Sequence, residues 1–144
     1  MNHYYVVIDT NVLVSAVLKH NSIPGFIINL AFSGPVIPVL NGEIEKEYRE
    51  VLSRPKFHLT QDIVEDIVGE FQNRGLYLDA EKQDIELPDP KDVVFYEVML
   101  EGSKTDDTFL VTGNGRHFPE NPYIVSPRQL MEIILKDENL NQSI

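Results

Sequence analysis

Short apolar runs alternate with helical segments along the chain, and this alternation constrains the fold more than any other feature of the sequence. The strand-like runs occupy residues 4–8, 36–40, 76–78, 109–112 and 123–125. Strands that are joined through helices pair in parallel, because a right-handed crossover returns the chain to the same edge of the sheet. The run at 4–8 is apolar throughout, as in a strand that is buried on both faces. The sequence therefore predicts an α/β fold with a central parallel sheet of about four to five strands flanked by helices.

The segments between these runs show the apolar periodicity of helices. Apolar residues recur at helical spacing in segments 12–18, 26–32, 43–52, 61–74 and 89–100, and in a last segment from Ser126 to about Lys136. Thr60 is an N-cap, Gly75 stands where a C-cap glycine belongs, and Ser126 forms a capping box with Gln129. At 144 residues, the chain has the size of one domain. We predict that the domain occupies residues 1–136 and that residues 137–144 are a polar, frayed tail.

The net charge of −11 narrows the ways in which this chain can bind other molecules. Modules that hold nucleic acid by electrostatic attraction alone are usually basic, so a passive DNA-binding domain is disfavoured. An acidic protein can still act on phosphates when its carboxylates hold cations, because the ion then sets the local charge.

The composition also bears on the cellular environment. The chain has no cysteine, which excludes a disulfide framework and a thiolate zinc site. No apolar run is long enough to cross a bilayer, and the first residues lack the basic start of a secretion signal. We therefore expect a cytoplasmic protein with no membrane partner.

Polar residues follow two of the strand-like runs. Asp9, Thr10 and Asn11 follow the first run, and Thr112 and Asn114 end or follow the fourth. In open α/β sheets, ligands bind outside the carboxyl ends of the strands, so these clusters share a rim if their strands are neighbours.

Two further acids, Glu47 and Asp92, stand near helix starts or on inner faces. Carboxylates that converge in a partly desolvated place repel one another, and a divalent cation with oxygen ligands is their natural partner. Such an ion can orient a phosphodiester and activate a water molecule.

Taken singly, each of these residues also has an ordinary structural interpretation. Asp9-Thr10-Asn11 can be a helix cap, and Asp92 can be an acid favoured by a helix dipole. Glu47 lies among charged neighbours that are typical of a solvated helix face, and Asn114 between glycines is a natural turn residue. The histidines show no metal-ligand spacing and are interpreted as surface or loop residues: His3, His20, His58 and His117.

The order of four motifs is more specific than any one of them. A strand that ends in Asp9-Thr10-Asn11 is followed by EIEKEYREVLSRPKF at 43–57, DPKD at 89–92 and LVTGNGRHFP at 110–119. Together they resemble PIN-domain proteins over roughly residues 6–135. The likeness is greatest to the toxin components of bacterial and archaeal toxin–antitoxin pairs, broadly VapC-like.

This resemblance implies specific roles for these residues. The family's first catalytic Asp corresponds to Asp9, its Glu to Glu47 (with Glu43 as the alternative register) and its second Asp to Asp92. The fourth position is either Asn114 or Asp107. The implied catalytic residues are Asp9, Glu47, Asp92 and Asp107, and the implied metal ligands are Asp9, Asp92, Asp107 and Asn114. Thr10, Asn11 and Thr112 are expected to support them.

The resemblance further implies an endoribonuclease that uses Mg²⁺ or Mn²⁺, acts on RNA, forms a homodimer and is inhibited by a cognate antitoxin. A basic strip could hold the RNA backbone, although ordinary surface charge explains it equally well. Its members are Arg49, Arg54, Lys56 and Arg116, with His58 and His117 beside them.

Two other functions compete with this one. A non-catalytic binding module can use the same fold, since a fold does not determine a function. A phosphatase-like or receiver-like protein would also have an Asp after its first strand. It is disfavoured here because Asn11 stands where a second acid is expected and Lys104 precedes its strand instead of following it.

Overall fold

The computed structural model describes the backbone of residues 3–142 and the side chains of residues 3–138. Within these limits the strands are β1 (Tyr4–Ile8), β2 (Val36–Leu40), β3 (Leu76–Tyr77), β4 (Thr108–Val111) and β5 (Ile124–Val125). The helices are α1 (Thr10–Leu18), α2 (Ile23–Ser33), α3 (Gly42–Leu52), α4 (Gln61–Arg74), α5 (Val93–Gly102) and α6 (Pro127–Gln142). Short 3₁₀ turns lie at Pro55–Phe57, Pro90–Asp92 and Gly115–His117.

The strands form a single five-stranded sheet in the order β3-β2-β1-β4-β5, and all neighbours are parallel. This confirms the predicted α/β fold with a parallel sheet flanked by helices. In the register between β1 and β4, Tyr5 pairs with Thr108 and Ile8 with Val111. The two central strands therefore end side by side, which brings Asp9 next to Thr112.

The centre of the sheet is covered on both faces. Val6 and Val7 point to opposite faces of β1, because side chains alternate along a strand, and both are fully buried. The first apolar run of the sequence is therefore a strand buried on both faces, as predicted. No helix in the described part of the chain is both long and apolar enough to cross a membrane.

The last helix begins as predicted but ends later than predicted. The capping box is present: the Gln129 N–H donates to Ser126 Oγ at 3.1 Å, and the Ser126 N–H donates to Gln129 Oε1 at 2.8 Å. The helix is longer than predicted, because α6 continues to Gln142 and does not end at about Lys136. The domain boundary at residue 136 and the frayed tail stay predictions. The Tyr4 hydroxyl donates to Asp137 at 3.0 Å, which ties this part of the helix to the start of β1. Residues 143 and 144 lie outside the described range.

The DPKD segment forms a tighter turn than the α-helical start that the sequence predicted. Pro90–Asp92 is a 3₁₀ turn, and the α-helix begins only at Val93. Asp89 still caps this start, since its side chain accepts a hydrogen bond from the Lys91 N–H at 3.0 Å. Asp92 consequently lies at the junction of the turn and the helix.

Gly75 follows α4 because this position has no space for a side chain. Its backbone conformation does not require glycine. Its φ is −79°, which any residue can adopt. A Cβ at this position would lie 2.5 Å from the Phe71 carbonyl oxygen and 2.7 Å from Leu40 Cδ2. A side chain here would push α4 away from β2.

We expect Gly75→Ala to lower the free energy of unfolding by about 2 kcal/mol, because the neighbouring backbone must shift. Gly69→Ala in the same helix is the matched control. A Cβ at Gly69 meets nothing within 4 Å, and alanine there should stabilise the helix by up to about 1 kcal/mol. Urea unfolding followed by circular dichroism measures both. Equal stability of the two variants would contradict this account.

Candidate active site

A pocket of about 740 Å³ opens at the edge of the sheet where β1 and β4 end. Of the residues predicted to act together, Asp9, Glu47, Asp92 and Asn114 all line it. Thr10 and Asn11 line it as well. The structure thus brings together side chains that are far apart in the sequence, from Asp9 to Asn114.

Asp9 is the most deeply placed acid of this pocket, with a relative exposure of 5%. It is the N-cap residue of α1, directly after β1. Thr112 Oγ1 donates a hydrogen bond of 2.7 Å to its Oδ2 atom. Burial raises the pKa of Asp9 above its ordinary value, and the interactions with Thr112 and with the Thr10 backbone offset only part of that rise.

Glu47 lies at the same edge of the sheet, where contacts with α1 and β1 hold it. The Thr10 hydroxyl donates to its carboxylate. The next residue, Tyr48, is buried and donates its hydroxyl to the Ile8 carbonyl oxygen, which fixes α3 against the end of β1. Burial raises the pKa of Glu47, and the negative charges of Asp9 and Asp89 add to the rise.

Sequence reasoning missed the role of Tyr48. The signal available was an aromatic residue next to the candidate Glu, but its hydrogen-bond partner is remote in sequence.

Asp92 is half-buried, and its carboxylate has no hydrogen bond or ion pair among the described residues. Its pKa is raised from 3.8 to about 6, first by burial and then by the charges of Asp9, Asp89 and Glu47. Asp89 was predicted only as a helix cap, yet it lines the pocket and its charge acts on all three acids. Its position three residues before Asp92 was the signal for this role.

Thr112 organises the supporting residues. Its hydroxyl donates to Asp9 and accepts a hydrogen bond of 3.0 Å from the Asn114 N–H. Asn11 accepts a longer hydrogen bond of 3.4 Å from the Gly113 N–H. These contacts hold the loop after β4 against the start of α1, so that Asn114 faces the pocket.

The expectation that Asp107 joins the other acids is wrong. Asp107 precedes β4, whereas the pocket lies where β4 ends. A strand of this length separates the two edges by about 13 Å. Asp107 instead accepts a hydrogen bond from the Tyr123 hydroxyl. Of the two candidates for the fourth position, only Asn114 lies in the pocket.

The predicted basic strip is divided between different surfaces. Arg54 lines the pocket, but Lys56 and Arg116 lie outside its lining. Arg49 donates to Glu65 at 2.9 Å and to Glu45 at 3.3 Å. Residues two apart on a helix point about 200° apart, so Arg49 cannot share the face of Glu47.

His117, which was interpreted as a surface or loop residue, lines the pocket. Its electrostatic interaction with Asp9 and Asp92 lowers the pKa values of both carboxyl groups. The sequence LVTGNGRHFP contains this histidine, but only the 3₁₀ turn at Gly115–His117 directs it back towards the acids.

The chemistry of this site fits a hard divalent cation, but its present geometry is not closed around one. The side chains offer carboxylate and amide oxygens, and within residues 3–138 no salt bridge neutralises Asp9, Glu47 or Asp92. In the same part of the chain, no three His, Asp or Glu side chains lie close enough together to hold a metal ion. Binding a cation would require the carboxylates to move closer to one another.

A comparison with family models matches residues 5–116 to the PIN domain. The chain therefore belongs to the PIN-domain family. The matched region contains Asp9, Glu47, Asp92 and Asn114. PIN domains are generally nucleases and generally use divalent metal ions. Comparisons with curated proteins and with solved structures give no significant match.

Asp92→Asn tests the electrostatic strain in the pocket through the pH dependence of stability. Because the pKa of Asp92 is raised to about 6 in the folded protein, the folded state binds a proton more tightly than the unfolded state. The carboxylate therefore destabilises the fold progressively as pH rises from about 4 to about 6. In EDTA, we expect the variant to be more stable than wild type by about 1 kcal/mol at pH 7.5, after allowance for solvent screening.

At pH 4 the same substitution should change the melting temperature little, because wild-type Asp92 is then largely protonated. Thermal unfolding at both pH values measures the difference. A stabilisation that is equal at the two pH values, or a loss of stability at pH 7.5, would show that Asp92 is not strained.

Proposed function

We propose that this chain is a metal-dependent endoribonuclease that hydrolyses RNA phosphodiester bonds in the carboxylate pocket. The observation that carries the proposal is the convergence of Asp9, Glu47 and Asp92 on one pocket, where burial and neighbouring negative charges raise their pKa values and no salt bridge among the described residues neutralises them. Such an arrangement costs stability, and sites that keep it commonly have a chemical use for it. Membership of the PIN-domain family supports the nuclease class.

We propose Mg²⁺ or Mn²⁺ as the cofactor, with Asp9, Asp92 and the Asn114 side-chain oxygen as its ligands. When bound, the ion would supply charge neutralisation at the phosphate and a more acidic water molecule. Thr112 and Thr10 hold the buried carboxylates in place by hydrogen bonds. An amide at Asn114 gives an oxygen ligand with no charge, so this pocket has one negative charge fewer than one with an acid at that position.

We propose that Glu47 accepts a proton from the attacking water. Its pKa is raised, which makes its carboxylate a stronger base than an exposed one. In the hydrolysis, the water oxygen forms a bond to phosphorus as one P–O ester bond breaks. One water proton passes to Glu47, and the leaving oxygen takes up a proton from solvent to become a hydroxyl group.

We further propose that the enzyme is the toxin of a toxin–antitoxin pair, a homodimer that acts in the cytoplasm and is inhibited by a cognate antitoxin. This rests on the likeness of its motifs to VapC-like proteins. The second candidate is a non-catalytic regulatory module that binds nucleic acid or protein. It is favoured by the lack of three closely spaced metal ligands among the described residues.

Cleavage of single-stranded RNA by purified protein separates these candidates. With Mg²⁺ or Mn²⁺ we expect cleavage by wild type that EDTA abolishes. Asp9→Asn, Glu47→Gln and Asp92→Asn should each lower the rate by about 100-fold or more. Asp107→Asn is the matched control and should cleave like wild type, because Asp107 lies at the opposite edge of the sheet. Loss of activity in the control, or cleavage that survives Asp9→Asn, would contradict the proposed site.

Two arginines give a test of substrate binding: Arg49 lies in α3, and Arg54 lies just after the end of α3. Arg54 lines the pocket and forms no salt bridge among the described residues, whereas Arg49 is paired with Glu45 and Glu65. We expect Arg54→Ala to raise KM for RNA about tenfold and to reduce the salt dependence of binding by about one phosphate contact. Arg49→Ala should leave both unchanged. The reverse result would place the RNA on the other face of α3.

A further inference from the structure

One wall of the pocket differs from the carboxylate rim. Val14 of α1, Val51 of α3 and Phe57 of the 3₁₀ turn Pro55–Phe57 all line the pocket. Each of them is only partly buried. Apolar surface that faces a pocket gains free energy when an apolar or aromatic group covers it. We call these residues the apolar wall.

Phe57 is the aromatic member of the apolar wall. His58 follows it in a left-handed backbone conformation with a φ of 55°, which ends the 3₁₀ turn. The Lys56 Nζ atom lies over one face of the Phe57 ring, 5.2 Å from its centroid, so a base would stack on the other face. An aromatic ring that carries an ammonium group suits a ligand that has both a planar ring and negative charge.

The cations of the pocket are available to such a ligand. Lys46, Arg54 and Lys91 line it, and none of them forms a salt bridge among the described residues. Arg49 and Arg74, which lie outside the pocket, are both paired with glutamates. Arg54 precedes the turn that carries Phe57, so a free guanidinium and an aromatic ring belong to the same short segment. A guanidinium binds phosphate well, because its donors match the phosphate oxygens.

We infer that the apolar wall is a nucleobase subsite in which one base of the substrate stacks on Phe57 while Arg54 binds a phosphate of the same strand. The inference rests on the proposed ribonuclease function for the position of the cleaved phosphate. A pocket of about 740 Å³ has room for a nucleotide. A base in a duplex already has both faces covered by its neighbours and cannot stack on a protein ring. The substrate class is therefore single-stranded RNA.

Tryptophan fluorescence tests the subsite without cleavage, because the chain contains no tryptophan. Phe57→Trp places one reporter in the pocket. Phe26→Trp is the matched control, since Phe26 is 48% exposed on α2 and does not line the pocket. Both are made in the Glu47→Gln background with Mg²⁺, where the proposed cleavage is blocked and the proposed metal ligands are intact.

A short single-stranded oligoadenylate should quench the fluorescence of Phe57→Trp and leave Phe26→Trp unchanged. An abasic oligomer of the same length, and oligoadenylate paired with oligouridylate, should quench neither. Equal quenching by the abasic oligomer would show that the ring does not receive a base. Absence of quenching in Phe57→Trp would overturn the inference.

Cleavage kinetics give a second, independent measurement. We expect Phe57→Ala to raise KM for single-stranded RNA about tenfold, the usual scale for the loss of one stacked base, with little change in kcat. The ratio of KM for duplex RNA to KM for single-stranded RNA should fall by the same factor. Phe57→Trp should restore this ratio. Phe26→Ala should behave like wild type.

The two proposals fail in different ways. If wild type cleaves RNA but Phe57→Ala is unchanged and Phe57→Trp is not quenched, the nuclease stands and the subsite is wrong. If no RNA is cleaved but oligoadenylate still quenches Phe57→Trp, the subsite stands and the pocket binds single-stranded RNA without hydrolysing it.

Discussion

The hydrogen bond from Thr112 to Asp9 joins the ends of the two central strands, and the rest of the pocket is arranged around it. It exists because β1 and β4 are parallel neighbours whose register ends at Ile8 and Val111. The same Thr112 hydroxyl accepts from the Asn114 N–H, and Thr10 beside Asp9 donates to Glu47. A sheet with another strand order would carry the same side chains and leave them apart.

The cost of this arrangement is electrostatic. Several carboxylates share one partly desolvated pocket, and burial with mutual repulsion raises their pKa values. The net charge of −11 disfavours general electrostatic binding of RNA, so binding of the proposed substrate would depend on local groups. A divalent cation, together with the unpaired cations of the pocket, would reverse the local field where the phosphate binds. The acidic composition and a phosphodiester substrate are then compatible.

Sequence patterns predicted the parallel sheet and the position of Asp9 at its carboxyl edge, because strand runs and the residues that follow them are local signals. Glu47, which taken alone is typical of a solvated helix face, was grouped with Asp9 by the resemblance to PIN-domain proteins. Asp107 precedes β4, and in a parallel sheet this local position already indicates the edge opposite to Asp9. It was a candidate only because of the resemblance to PIN-domain proteins. Other positions depended on geometry that is not local. Arg49 has the right charge, yet helical rotation turns it towards Glu65. His117 reaches the acids only through a short 3₁₀ turn, whose direction no periodicity in the sequence reports.

The carboxylate pocket is proposed to bind a divalent metal ion, and calorimetric titration of Mn²⁺ tests this most directly. We predict binding to wild type at pH 7.5 that is lost in Asp9→Asn and weakens at pH 5.5, because the ion must then displace protons from carboxylates whose pKa values are raised. Proton release measured in two buffers should accompany binding at pH 5.5. Absence of binding to the folded protein at pH 7.5, or binding that Asp9→Asn leaves unchanged, would contradict the account.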